Sequence, residues 1–368
     1  MLYLITLFNL VLLFLYRNKR AITIWVTFAI FLIATFNYGT ADFGVYYGRY
    51  LYYDSTFFKD QTEPLYTLVI RLARTFGVPY RTFLGMEYAV IFGTFYFFIC
   101  KYAKIPNIVL ILYIIWPFCR DVSGVRTSLG CAFIYIAFSF FIKEEKKYLI
   151  PYVIFVLIGG MFHYGMLFYL VLLLIPMVPN TTKSGKNRLI IIFMLLFLIE
   201  VIFLNVIPNL PFTGTLMTKI SYVFGRSTQS GNIITAPGTF RTLFMFFVYY
   251  FLHGKVERKL CKDGDYARLK IAQRIYYVNL YVLLAIPLYV YVPDLCRMQQ
   301  CIAILCYVEF SFFFSDTNDA RKIKKSELIF FFECLGYAII YLFIIVLKTN
   351  EFNSILRGLF EQNILNLF

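Results

Sequence analysis

"IIWPFCRDVSGVRTSLGCAF", residues 114–133, joins two apolar runs through a short stretch that carries Arg120, Asp121 and Arg126. The runs on either side, 106–118 and 127–142, contain no charged residue. Apolar runs of this kind suit the interior of a bilayer, where a charge is costly and is tolerated mainly for function. Three charges between two such runs therefore mark a junction at the membrane surface.

The same alternation runs through all 368 residues. The chain is 61% hydrophobic and only 15% charged, with a mean hydropathy of +0.73. A soluble domain is nearer half apolar with about a quarter of its residues charged, so this is an integral membrane protein. The aromatic share of 21% suits lipid-facing and interfacial positions. The net charge of +15 follows from cationic loops that hold a membrane protein's orientation, and nucleic acid is not an expected partner. The eight cysteines show no CxxC pair and no metal-like spacing, so they read as small core residues or free thiols. Cys119 and Cys296 are the one pair that the topology places near each other for a disulfide.

Lys-rich segments punctuate the apolar runs: 17–20, 101–104, 143–147, 181–188, 253–274 and 318–327. Placed in the cytoplasm, they alternate with spans at 2–16, 21–38, 81–100, 106–118, 127–142, 148–161, 164–179, 189–206, 239–253, 275–292, 298–314 and 328–347. The expected fold is an all-α polytopic membrane protein of about twelve transmembrane helices. Several spans fall short of the length a straight crossing needs and are read as broken or re-entrant. The first run has its charges after it and no cleavage site, so it is read as an uncleaved span with its N-terminus outside. The whole chain, 1–368, reads as a single membrane domain. An outer loop at 39–80 contains an interfacial helix in "EPLYTLVIRLARTFG" (63–77), and a long outer loop at 207–238 is a candidate lid.

The cytoplasmic segments take up 22 of the 35 Lys and Arg residues, 15 of them Lys. Of the remaining thirteen, ten are Arg. Rules for insertion treat the two cations alike, whereas the planar guanidinium grips phosphate or carboxylate bidentately and the ammonium is a hydrated point charge. An arginine-rich outer face points to an anionic, phosphate-bearing ligand.

Four outer stretches can carry chemistry. After the second span, Asp42 is followed at helical spacing by Tyr46, Tyr50 and Tyr53, so a carboxylate and aromatic rings can share one face and hold a sugar. Arg120 and Arg126 sit at membrane depth at the junction already described. "GGMFHYGMLF" (159–168) puts His163, one of only two histidines, at a glycine-flanked turn between two apolar helices. "YVPDLCRMQQ" (291–300) supplies Asp294 and Arg297, and the long loop adds Lys219, Tyr222, Arg226 and Arg241. No nucleotide-binding loop, HExxH or serine elbow occurs, so neither ATP-driven nor zinc chemistry, and no cofactor, is expected.

Together these stretches resemble the EpsG family, within the broader Wzy-type polysaccharide polymerases. The resemblance rests on "DFGVYYGRY" (Asp42, Tyr46), "EPLY" (Glu63, Pro64), "GVRTSLG" (Arg126), "MFHYGMLF" (His163), "KISYVFG" (Tyr222) and "CRMQQ" (Arg297). Members often carry Gln after the arginine that Arg126 matches; here that residue is Thr127, and the Gln's role does not carry over. The resemblance implies a GT-C-like helical architecture in a bacterial inner membrane, with the site on the periplasmic face. It implies transfer of a growing glycan from undecaprenyl diphosphate to the sugar of an incoming lipid-linked repeat unit. The substrate is then an undecaprenyl-diphosphate-linked oligosaccharide among membrane lipids, with a chain-length co-polymerase as partner. On this reading Arg120, Arg126 and Arg297 neutralise the diphosphate, and His163, Glu63 or Asp42 serves as base. Tyr46, Tyr222 and Arg226 then contact the glycan. Two other readings share a basic outer cavity: a flippase for lipid-linked oligosaccharide, and a membrane acyltransferase built on His163.

Overall fold

In the computed structural model the described residues are 1–40, 42–53, 63–142, 148–175, 183–206, 238–290, 298–315, 323–344 and 353–367. They are almost entirely helical. Among them there is no β-strand, and one isolated antiparallel bridge pairs Asn37 with Asn363. The helices are α1 (Leu2–Leu15), α2 (Arg20–Phe36), α3 (Phe43–Leu51), α4 (Pro64–Thr75), α5 (Tyr80–Tyr102), α6 (Pro106–Ile115), α7 (Phe118–Ser123), α8 (Val125–Phe141), α9 (Leu149–Phe162), α10 (Lys183–Val206), α11 (Thr239–Asp263), α12 (Tyr266–Val282), α13 (Met298–Ser311) and α14 (Lys325–Leu342). Residues Tyr164–Leu174, expected as an α-helical span, form a 3₁₀ helix.

Among the described residues two stretches, Tyr80–Tyr102 and Tyr266–Tyr289, are long and apolar enough to cross a bilayer unaided, and several apolar helices are shorter. The surface supports a membrane setting. Leu4, Leu7 and Phe8 on α1, Trp25 and Phe28 on α2, Met194, Leu195, Leu198 and Ile199 on α10, and Phe247 on α11 are all exposed. Apolar exposure on this scale is abnormal in water and ordinary against lipid.

The chain divides into two compact units. The first comprises Met1–Ile136, Leu157–His163 and Tyr307–Phe368. In it α2 packs on α5 and α1 on α6, and α6 is buried along its whole length. Asn107, one residue into α6, donates to the Tyr16 carbonyl (2.6 Å) and accepts from the Thr23 hydroxyl (2.5 Å). That joins the turn between α1 and α2 to the start of α6. Proline sets the boundaries here: Pro64 and Pro106 stand in the first turns of α4 and α6, where a missing N–H costs nothing. Trp116, the residue before Pro117, is extended (φ −158°, ψ 132°) and ends α6.

The turn from α4 into α5 is a Schellman closure. Gly77 takes a left-handed φ of 64°, its N–H bonds Arg74 O (3.0 Å), and the Val78 N–H bonds Ala73 O (2.9 Å). The Tyr50 hydroxyl of α3 donates to the Val78 carbonyl, and its ring packs near Tyr80 and Phe83 of α5. So α3 is locked to α4 and α5 through one turn. The C-terminal segment secures the approach to α3: the Tyr38 N–H bonds Gln362 O (3.1 Å), and Asn363 donates to Ile33 O (2.8 Å). Gly358 lies so close to Gly39 that a Cβ there would meet the Gly39 oxygen at 2.1 Å.

The second unit comprises Ala137–Val156 and Tyr164–Cys306. Its α11 and α12 form a hairpin closed by Gly264 (φ 69°) and by Asp265, which caps α12 through the Arg268 N–H (3.1 Å). Buried tyrosine hydroxyls tie its elements together: Tyr152 donates to Tyr169 O (2.7 Å), Tyr169 to Met298 O (2.6 Å) and Tyr281 to Leu189 O (3.0 Å). Without a water-driven hydrophobic force, such bonds and close packing hold membrane helices.

Candidate functional site

Three elements of the first unit converge on one cluster. Glu63 precedes Pro64, which forces it out of the helical region (φ −64°, ψ 144°). Its side chain makes no capping bond to α4 and is left to face Arg126, the second residue of α8. Arg126 Nη1 donates to Glu63 Oε2 at 2.5 Å, with the two side chains 20% and 9% exposed. A charge-assisted bond of this length, largely out of water, is among the stronger single contacts a protein makes.

Two rings enclose the guanidinium. Its Cζ lies 5.8 Å from the Tyr46 centroid and 6.0 Å from the Tyr66 centroid. The rings meet edge to face, with centroids 6.2 Å apart at 69°. Tyr46 belongs to α3 and Tyr66 to the first turn of α4, both buried. Behind them Tyr66 lies near Glu87 of α5, a buried carboxyl. Arg49, one turn beyond Tyr46 on α3, is close enough to feel Arg126, Tyr46, Tyr66 and Glu63 electrostatically.

The structure thus brings together Glu63, Arg126 and Tyr46, three residues the sequence singled out. It joins Glu63 and Arg126 directly, where the sequence reading gave them separate tasks. Asp42 stands half-buried just before α3, its carbonyl accepting the Tyr46 N–H (3.0 Å). His163 follows the last residue of α9, half-buried, with its N–H on Gly159 O (2.9 Å). Arg120 lies half-buried on α7, six residues before Arg126. Arg297, Tyr222, Arg226 and the candidate lid at 207–237 lie outside the described residues.

Asp121 has a structural task. Its carboxylate accepts the Tyr113 hydroxyl of α6 (3.0 Å), and its carbonyl accepts the Ser128 hydroxyl of α8 (2.8 Å). It therefore binds α6, α7 and α8 into one corner. Cys119, the cysteine for which a disulfide with Cys296 was open, is a buried free thiol on α7, and Cys296 lies outside the described residues.

Sequence reasoning assigned no role to Arg49, Tyr66 or Glu87. The signal for the first two was spacing: Arg49 is three residues past Tyr46, and Tyr66 three past Glu63, so each shares a helical face with a recognised residue. For Glu87 the available signal is a lone carboxyl within an apolar helix, which is itself a functional hint.

The EpsG family model matches residues 4–356, nearly the whole chain and every element of this cluster. The chain belongs to the EpsG family. Membership places the protein at a membrane, in polysaccharide biosynthesis. No curated protein and no solved structure matches the chain.

Proposed function

We propose that this EpsG-family protein is a polymerase that transfers a growing glycan from undecaprenyl diphosphate to a sugar hydroxyl of an incoming lipid-linked repeat unit, on the periplasmic face of the bacterial inner membrane. The observation that carries the reading is the Arg126–Glu63 pair set between Tyr46 and Tyr66. A cation held ready by a carboxylate, with aromatic faces around it, suits a substrate that is part diphosphate and part sugar.

In the reaction the bond from the anomeric carbon to the phosphate oxygen breaks and a bond from that carbon to the acceptor oxygen forms. The acceptor proton passes to a base, and the electron pair of the broken bond leaves on the lipid diphosphate. Arg126, with Arg120 and Arg297, meets that growing charge. Glu63 is already engaged by Arg126 and is assigned to hold and aim it, while His163 or Asp42 takes the proton. Tyr46, Tyr222 and Arg226 contact the glycan, and a chain-length co-polymerase acts beside the enzyme.

The test is purified protein in nanodiscs with a synthetic undecaprenyl-diphosphate-linked repeat unit. A ladder of polymer without nucleotide or acyl donor is the expected result. Movement of the lipid across the bilayer with no ladder would instead indicate a flippase, and dependence on acyl-CoA an acyltransferase.

A further inference from the structure

We propose that Arg49 is a further anion-binding arginine, which with Arg126 forms a two-armed seat for a diphosphate. The inference rests on the polymerase reading for the identity of the natural ligand, though not for the seat itself.

The cluster contains an imbalance. Glu63 meets the charge of Arg126 at 2.5 Å, but among the described residues Arg49 has no such acid. Its Nε and Nη1 are sealed from solvent and, among the described residues, have no hydrogen-bond partner. Burial and the neighbouring Arg126 cation both pull the Arg49 guanidinium below its ordinary pKa. Two cations share one carboxylate, and the nearby tyrosines offer rings and hydroxyls rather than a countercharge. Folding does not gain from burying unmatched N–H donors beside a like charge, so a feature of this kind points to a ligand that supplies the missing acceptors.

The geometry of α3 supports that role. Tyr46 and Tyr50 are buried, and the hydroxyl of Tyr50 is fixed on Val78 O. Both flank Arg49 on one side of a nine-residue helix, so its backbone is held while its guanidinium is unbonded. The ligand must be anionic, offer several oxygens and reach two guanidinium groups at once. A diphosphate fits that description, and each arginine then grips one phosphoryl group through its planar fork. Either a lipid-linked or a free diphosphate has this chemistry.

The experiment uses the full chain in nanodiscs, as wild type, Arg49→Met and Arg49→Lys, titrated with inorganic pyrophosphate and with farnesyl diphosphate. Arg49→Met keeps an apolar stem and removes the charge. Its pyrophosphate affinity is expected to fall about tenfold or more, the scale of one lost charge-assisted bond, while its ligand-free melting temperature holds or rises. Arg49→Lys is expected to recover part of the affinity. Preference for the farnesyl compound identifies a lipid-linked ligand and equal binding a free one, and both outcomes support the seat. Wild type that binds neither probe, or Arg49→Met that binds both as tightly as wild type, overturns it. So does Arg49→Met that melts lower without ligand, because Arg49 would then have a structural partner. If both probes bind through Arg49 but lipid-linked repeats give no ladder, the seat stands and the polymerase reading falls.

Discussion

Arg126 donates to Glu63 across 2.5 Å, tying the first turn of α8 to the residue that opens α4. The bond spans 63 positions of sequence, so it is a tertiary contact that shapes the cluster rather than a local cap. Replacing Glu63 with Gln keeps the size and an acceptor oxygen but leaves the guanidinium without its anion. The expected cost is about 1–3 kcal/mol of stability, and polymer yield should fall with it. Replacing both residues, as Glu63→Gln with Arg126→Gln, should cost less stability than the two single changes added together, because neither charge is then left alone. Thermal melting of the four proteins in nanodiscs measures this coupling, and strict additivity would show that the pair does not act as a unit.

Tyr46 sets its ring over Arg126, and its ring and hydroxyl can be separated. Tyr46→Phe keeps the ring and loses the hydroxyl, whereas Tyr46→Leu loses both. A cation over an aromatic face at a partly buried site is worth about 0.5–2 kcal/mol. Tyr46→Phe is therefore expected to retain most polymer yield in cells, and Tyr46→Leu to lose most of it. Equal loss in the two variants would place the whole effect in the hydroxyl.

The helices were legible in sequence because their signal is local. Apolar runs bounded by Lys-rich segments predicted α1, α2, α5 and α6 to within a few residues, and Pro64 and Pro106 marked starts that the structure keeps. The 3₁₀ geometry of Tyr164–Leu174 was not legible, since its composition is as apolar as that of an α-helix. In the site, Arg126 drew notice as a charge at a membrane junction and Glu63 through the family resemblance, but their pairing depends on how α4 and α8 pack, which no spacing encodes. Glu87 went unassigned because its meaning comes from Tyr66, on another helix. Asp121 had no assignment from sequence, because its role as a corner bolt is set by Tyr113 and Ser128.

Gly358 offers a test of how far the approach to α3 matters. A Cβ at this position would meet Gly39 O at 2.1 Å and Gly39 C at 2.5 Å, both backbone atoms that cannot swing aside. Gly358→Ala should therefore cost about 1–3 kcal/mol or more as overpacking. The strain falls on residues 37–40, which lead into α3 and so into Tyr46 and Arg49. The expected outcome is a lower melting temperature together with lower polymer yield. Gly336→Ala is the control, because a Cβ there has nothing within 4 Å and should change neither.

The strongest discrimination between a structural and a chemical role comes from conservative changes at Arg126 and Asp121. Asp121→Asn keeps an oxygen for the Tyr113 hydroxyl, and its carbonyl still accepts from Ser128. It should fold and polymerise much as wild type does. Arg126→Lys keeps the charge and can still reach Glu63, so its stability should fall by no more than about 1 kcal/mol. A point charge cannot hold a carboxylate and a phosphoryl oxygen at once with the geometry of a planar fork. Polymer length and yield should therefore drop sharply in Arg126→Lys, and further in Arg126→Ala and Arg297→Ala. Gel analysis of surface polysaccharide, with protein abundance as the control, reads all four variants. Full polymer from Arg126→Ala would remove the diphosphate role from this residue, and the reverse pattern, with Asp121→Asn inactive and Arg126→Lys intact, would move the chemistry to the α7 corner.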